Sequence, residues 1–185
     1  MVLTDREIQS AIQHRQIVIT PTPNSVAYSS TSLDLTLGGS VRIWKPPPVK
    51  GVDQVICPAA EGYNYNEFAK DFTDLKDISG EGIILEPQMF LLGWTKEEVD
   101  LPAHSRLAAR VEGKSSLARL GIGIHITAPT IHAGFSGPIQ LEICNHGTLR
   151  VKLQPNMPVC QLIFEQTLGT PHKGYAGQFS HQKAE

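Results

Sequence analysis

The chain has few cysteines. Cys57, Cys144 and Cys160 are widely spaced and form no Cys-x-x-Cys pair among 185 residues. That scarcity excludes a disulfide-stapled scaffold and a cysteine-rich structural zinc site. Runs of like charge are absent too: 16 Lys and Arg stand against 18 Asp and Glu, for a formal net charge of -2. Such a balance gives no electrostatic footprint for duplex nucleic acid and no polybasic patch for a membrane surface, so any polyanion must be met by a local cluster. No apolar run approaches the roughly 20 residues that span a bilayer. Met1 to Arg6 lack the basic start and apolar core of a signal peptide, so the cytoplasm is the expected compartment. What is present, 41% hydrophobic and 18% charged residues, is ordinary globular composition, and the length suits one domain with a real core.

Thr4-Asp-Arg-Glu7 is a capping box, flanked by Leu3 and Ile8 as a hydrophobic staple and followed by an apolar stripe at Ile8, Ala11 and Ile12. The pattern predicts an amphipathic helix over Asp5 to His14, covering one end of a sheet. Gln16 to Thr20 reads as a short strand. Leu33, Leu35 and Leu37 alternate with Ser32, Asp34 and Thr36 as in a half-buried strand, which leaves Asp34 simply exposed. From Lys45 to Gly80 the period is lost behind Pro46-Pro-Pro48, and a surface excursion is expected. Strands follow around Ile83 to Leu85 and Phe90 to Leu92, Glu97 to Pro102 turns the chain, Arg106 to Glu112 leads into the Gly113 block, and further strands come at Val151 to Leu153 and Val159 to Phe164. Many short strands punctuated by Pro and Gly point to a mainly β barrel or jelly roll.

Two stretches carry chemistry. Gly113-Lys-Ser-Ser-Leu-Ala-Arg-Leu-Gly121 reads as a short helix with a serine cap and a glycine stop. Its start, with Lys114, Ser115 and Ser116, is a place to hold an anion, and Ser115 and Arg119 share a helical face; plain caps and solvated charges are the competing reading. Ile122, Ile124 and Ile126 then alternate with Gly123, His125 and Thr127, and Ile139, Leu141 and Ile143 with Gln140, Glu142 and Cys144. Glu142 therefore leaves its strand opposite three aliphatic side chains, facing either solvent or a polar cleft in which a carboxylate suits general acid/base work. Periodicity alone does not choose.

These blocks, with His125-Ile-Thr-Ala128 and Gly134-Phe-Ser-Gly-Pro-Ile-Gln-Leu-Glu-Ile-Cys-Asn-His-Gly147, resemble the dCTP deaminase family of the dUTPase-like superfamily. Thr4 to Ile8, Ser32 to Gly38, Val99 to Pro102 and Val151 to Leu162 agree with it, leaving a gap between about Lys45 and Gly80. The resemblance implies a mainly β, dUTPase-like distorted barrel or jelly roll, with a short N-terminal helix and one short helix at the active site. It implies a single domain over residues 1–185, with a tail from about 169 to 185 that closes over the site.

The activity implied is hydrolytic deamination of dCTP to dUTP and ammonia in a homotrimer whose sites lie between subunits. No His-x-Glu with Pro-Cys-x-x-Cys is present to hold zinc, so a carboxylate would activate water: Glu142 as base, with Ser115 and Arg119 holding the water. Thr127 and Ala128 would meet the base edge. Lys114, Ser116, Tyr175 and Gln178 would hold the phosphates, with Mg²⁺ bound through the triphosphate and no metal ligand from the protein. In Ile131-His-Ala-Gly-Phe135, His132 stands where dUTPases carry Asp, which puts pyrophosphatase activity in doubt; it is either a sugar contact or a loop histidine without a role. His125 either borders the cleft or packs. dTTP and dUTP are the candidate feedback ligands, and neither nucleic acid nor membrane is an expected partner. Two alternatives stay open: a bifunctional deaminase and dUTPase releasing dUMP and pyrophosphate, and an inactive nucleotide-binding regulator.

Overall fold

The computed structural model describes residues 1–46, 55–128, 130–177 and 183. In chain order the elements are α1 (Asp5–Gln13), β1 (Val18–Thr20), a 3-10 turn (Ser25–Ala27), β2 (Tyr28–Ser29), β3 (Ser32–Trp44), α2 (Tyr65–Phe72), β4 (Thr73–Asp77), β5 (Ile83–Leu85), β6 (Phe90–Asp100), β7 (Leu107–Gly113), α3 (Ser115–Ala118), β8 (Ile122–Gly123), β9 (Ser136–Asn145), β10 (Val151–Leu153) and β11 (Pro158–Gln166). The mainly β expectation holds. The main sheet runs β7-β11-β3-β6-β9-β8, with β1 on β6 and both β2 and β4 on β3; β5 and β10 form a separate pair.

At the N-terminus the Glu7 carboxylate accepts from the Thr4 backbone N–H at 2.9 Å and also from its hydroxyl. This closes the expected box, and Ile8 and Ala11 are buried below it. α1 caps the sheet end, where Leu3 N–H donates to the Phe164 carbonyl.

β3 runs well past the Ser32 to Leu37 stretch read from the sequence. Its first half pairs with β11, its second half with β4 and β6, and the β3–β6 register slips between Leu37 and Val41. Gly38 lies in the slip, where a Cβ would sit 3.1 Å from the Trp94 carbonyl oxygen. A residue without a side chain thus lets one strand turn the sheet's corner. β6 continues to Asp100, beyond the expected turn at Glu97, because Glu97 is buried and accepts from the Thr36 backbone N–H and hydroxyl at 2.8 and 2.7 Å. A second slip, between Trp94 and Glu98, is bridged by Thr95, whose hydroxyl donates to the Glu97 carbonyl and accepts from Ile139 N–H.

Two further expectations are corrected. The excursion from Lys45 to Gly80 contains α2 and β4. Asn64 caps α2 by accepting from Asn66 and Glu67 N–H, and Phe68, Ala69 and Phe72 give it an apolar face that no repeating pattern announces. The strand expected from Ile122 to Ile126 ends after Gly123: Ile122 and Ile124 are buried, Ile126 is 53% exposed, and the chain bends toward the Glu142 side chain instead of continuing along β9. Among the described residues no helix is long and apolar enough to cross a membrane.

Candidate active site

β9 delivers Glu142. Ile139, Leu141 and Ile143 are buried in the core, so Gln140, Glu142 and Cys144 project from the other face, with Leu92 of β6 opposite Glu142 in register. Glu142 lines a cavity of about 360 Å³, a size that accepts a nucleobase, and its side chain keeps 27% of its surface. Of the two alternatives left open above, the cleft is the one adopted. Oε2 of Glu142 lies 3.4 Å from His125 Nδ1 and accepts from Ile126 N–H at 3.4 Å. His125 therefore borders the cavity, and the bend after Gly123 has a local cause: backbone and ring polar groups turn to a carboxylate.

The remaining candidates divide. Ala128 and His132 line the cavity with Glu142, and so does Tyr175 from the tail. The His132 and Tyr175 rings lie 5.6 Å apart at their centroids. Tyr175 N–H donates to the Ala133 carbonyl at 2.8 Å, so the chain at Tyr175 is seated at the rim. That seat needs Gly134: its φ is +97°, and a Cβ there would lie 2.6 Å from Tyr175 N. Thr127 is exposed and lies outside the cavity lining, where its neighbour Thr130 stands instead. Gln178 lies outside the described residues.

Lys114, Ser115, Ser116 and Arg119 do not line this cavity. α3 is a single turn hung on buried Leu117, too short for a full helix dipole, so any anion held there depends on hydroxyls and the guanidinium. Ser115, Ser116 and Arg119 are exposed, and Lys114 Nζ lies 2.5 Å from Asp34 Oδ2, which also makes Asp34 half-buried and paired, not simply exposed.

Sequence reasoning missed the cavity's aromatic wall, Trp44, Tyr65 and Phe90, and it passed over Gln140. Only Gln140 left a signal, since it alternates with Glu142 on one strand face. Tyr65 donates from its hydroxyl to Gln140 Oε1 at 3.3 Å, and burial first, then the charge of Glu142, push its phenol above the usual range. Among the described residues no group of three His, Cys, Asp or Glu could hold a metal ion.

With this geometry in view, comparison with known proteins is specific. Residues 2–167 match a family model described as dCTP deaminase-like. The dCTP deaminase of Rhodospirillum rubrum is 36% identical over 176 residues, 95% of this chain and 88% of that protein. That of Shewanella oneidensis is 37% identical over 95% of this chain and 89% of its own length. A relative named dCTP deaminase, dUMP-forming, from Methanobrevibacter smithii is 35% identical over 92% of this chain and 82% of its length. Among solved structures, the 2'-deoxycytidine 5'-triphosphate deaminase from Agrobacterium tumefaciens superposes with a TM-score of 0.67 at 23% identity, over 89% of this chain; the chain spans about half (48%) of that one. Model, length and fold agree, and the chain belongs to the dCTP deaminase-like family.

Proposed function

We propose that the protein hydrolyses dCTP to dUTP and ammonia without zinc, with Glu142 as the proton-transferring group. The observation that carries this reading is Glu142 on the wall of a nucleobase-sized cavity, with one oxygen already engaged by the 125–126 segment. Glu142 removes a proton from water as hydroxide adds to C4 of cytosine, and passes it to N3. A second proton, from the added hydroxyl, goes by way of Glu142 to the exocyclic amine, which leaves as ammonia as the C4 carbonyl forms. One carboxylate serves first as base and then as acid, and the sum is dCTP plus water giving dUTP plus ammonia.

The water and the developing charge need donors, which we assign to Ser115 and Arg119. Their exposure on a single chain supports a site completed by a second copy, in a homotrimer, with α3 of one subunit facing the cavity of the next. Ala128 and Thr127 meet the base through backbone groups and His132 meets the sugar. Lys114, Ser116, Tyr175 and Gln178 serve the triphosphate. Mg²⁺ would enter with the substrate, held by phosphate oxygens, its usual mode. dUTP and dTTP share the sugar and triphosphate and are the candidate feedback ligands.

Relatives of both product types match at similar identity. His132 favours dUTP as the final product: it is neither an anion nor a shape that orients water at phosphorus, and its ring is turned to Tyr175. The test is one tube with dCTP and Mg²⁺, assayed for ammonia, dUTP and pyrophosphate. Ammonia with dUTP is expected; pyrophosphate with dUMP would replace this reading with the bifunctional one, and binding without either product would replace it with a regulator.

A further inference from the structure

Tyr65 and Gln140 have no part in the deamination scheme above, yet both face its cavity. Tyr65 opens the first turn of α2. That helix is held by the Asn64 cap and by Phe68, whose ring lies 5.8 Å from Trp44 and 4.4 Å from Phe72 at the centroids. From this fixed base the Tyr65 hydroxyl donates to Gln140 Oε1 at 3.3 Å. Gln140 and Glu142 are alternate residues on one face of β9, so their side chains leave the strand about 7 Å apart.

The phenol is raised by burial and by the charge of Glu142, and so stays protonated through the neutral range. A hydroxyl that donates to the amide oxygen fixes which way the amide faces: oxygen toward Tyr65, N–H groups away from it. The amide then stands beside the reacting carboxylate as an oriented donor. With the amino-bearing carbon of a cytosine at Glu142, the ring carbonyl across N3 is the acceptor within reach of Gln140.

We propose that Gln140 recognises the C2 carbonyl of the pyrimidine through an amide N–H, and that Tyr65 is the positioning residue that holds the amide for it. The inference rests on the deamination reading and adds a specificity contact to it, together with a role for a segment the sequence marked as a surface excursion. Gln140 touches substrate, whereas Tyr65 acts through Gln140.

The experiment compares dCTP with its 2-thio analogue, whose sulfur is a poor acceptor, in the wild type, Tyr65→Phe, Gln140→Leu and the double variant. Phenylalanine keeps the ring and removes one neutral hydrogen bond, so kcat/KM for dCTP should fall about 5-fold in Tyr65→Phe and about 10-fold in Gln140→Leu. The 2-thio analogue should lose much less, and the double variant should match Gln140→Leu alone, because the two residues act in series. Equal losses for both nucleotides, multiplied effects in the double variant, or a Tyr65→Phe protein identical to wild type would overturn the proposal. If the wild type releases no ammonia from dCTP, the deamination reading falls by itself. Tyr65 and Gln140 are then judged by binding alone: preference for the 2-oxo over the 2-thio nucleotide, lost in Gln140→Leu, supports the pair, and equal binding of the two by the wild type overturns it.

Discussion

β9 turns its polar side chains into a cavity, whereas α3 turns its polar side chains out of the molecule. Glu142 sits in the wall of a space a base can fill, while Ser115, Ser116 and Arg119 are exposed on a one-turn helix outside it. The lesson is that the fold of one chain supplies the carboxylate and the pocket, and leaves the side chains that the proposed mechanism uses as donors on a surface another copy can reach. Mixing separates this arrangement from a site built within one chain. Glu142→Gln and Arg119→Ala should each lose about 10²- to 10³-fold in ammonia release. Co-expressed in equal amounts, they should regain activity at about a quarter of the sites, by random assortment around a closed ring. No recovery would place both halves in the same subunit and break the comparison.

Next in size is a stability effect within β9 itself. Leu141 is fully buried, so Leu141→Ala should cost about 2–5 kcal/mol in urea unfolding, and loosening its strand should weaken the Glu142 face as well. An effect under about 1 kcal/mol would mean that β9 is not held by its core face.

β9 and α1 were legible for the same reason: a strict period fixes which side chains are buried, and the opposite face follows. Glu142 could be placed on the face away from Ile139, Leu141 and Ile143, but whether that face met solvent or a cleft depended on Trp44, Tyr65 and Phe90, residues remote in sequence. α2 was illegible because Phe68, Ala69 and Phe72 give only one turn of apolar spacing after a proline run, and its position is set by aromatic contacts with Trp44. The 122–126 stretch failed in the other direction. Its alternation was real, yet Glu142 drew the Ile126 N–H out of the ladder, and a side chain that competes for backbone donors leaves no mark in a hydropathy pattern. The dependence of the tail on Gly134 was equally invisible, since it rests on a positive φ and a contact with Tyr175.

Smaller effects sharpen the contrast between the patterned barrel and the aromatic-held α2. Phe68 is half-buried, so Phe68→Ala should cost about 1 kcal/mol and speed hydrogen exchange in α2 while leaving β9 protected. Uniform loss of protection would make α2 part of the barrel's cooperative unit. The smallest change belongs to α1. The Thr4 hydroxyl and backbone N–H hold the Glu7 carboxyl below its usual range. A depressed carboxylate contributes stability above its unfolded pKa, and that contribution is lost as pH falls through the folded value. Thr4→Ala should therefore flatten the acid side of the stability profile and leave activity unchanged; an unaltered acid limb would dismiss the box as a stabilising device.

The most direct measurement is ammonia release from dCTP by Glu142→Gln beside its affinity for the same nucleotide. Glutamine keeps the shape and removes the proton acceptor. The expected result is a loss of about 10³-fold in kcat with dCTP bound within a few-fold of wild type; deamination continuing at the wild-type rate would contradict the role given to Glu142 and the mechanism built on it.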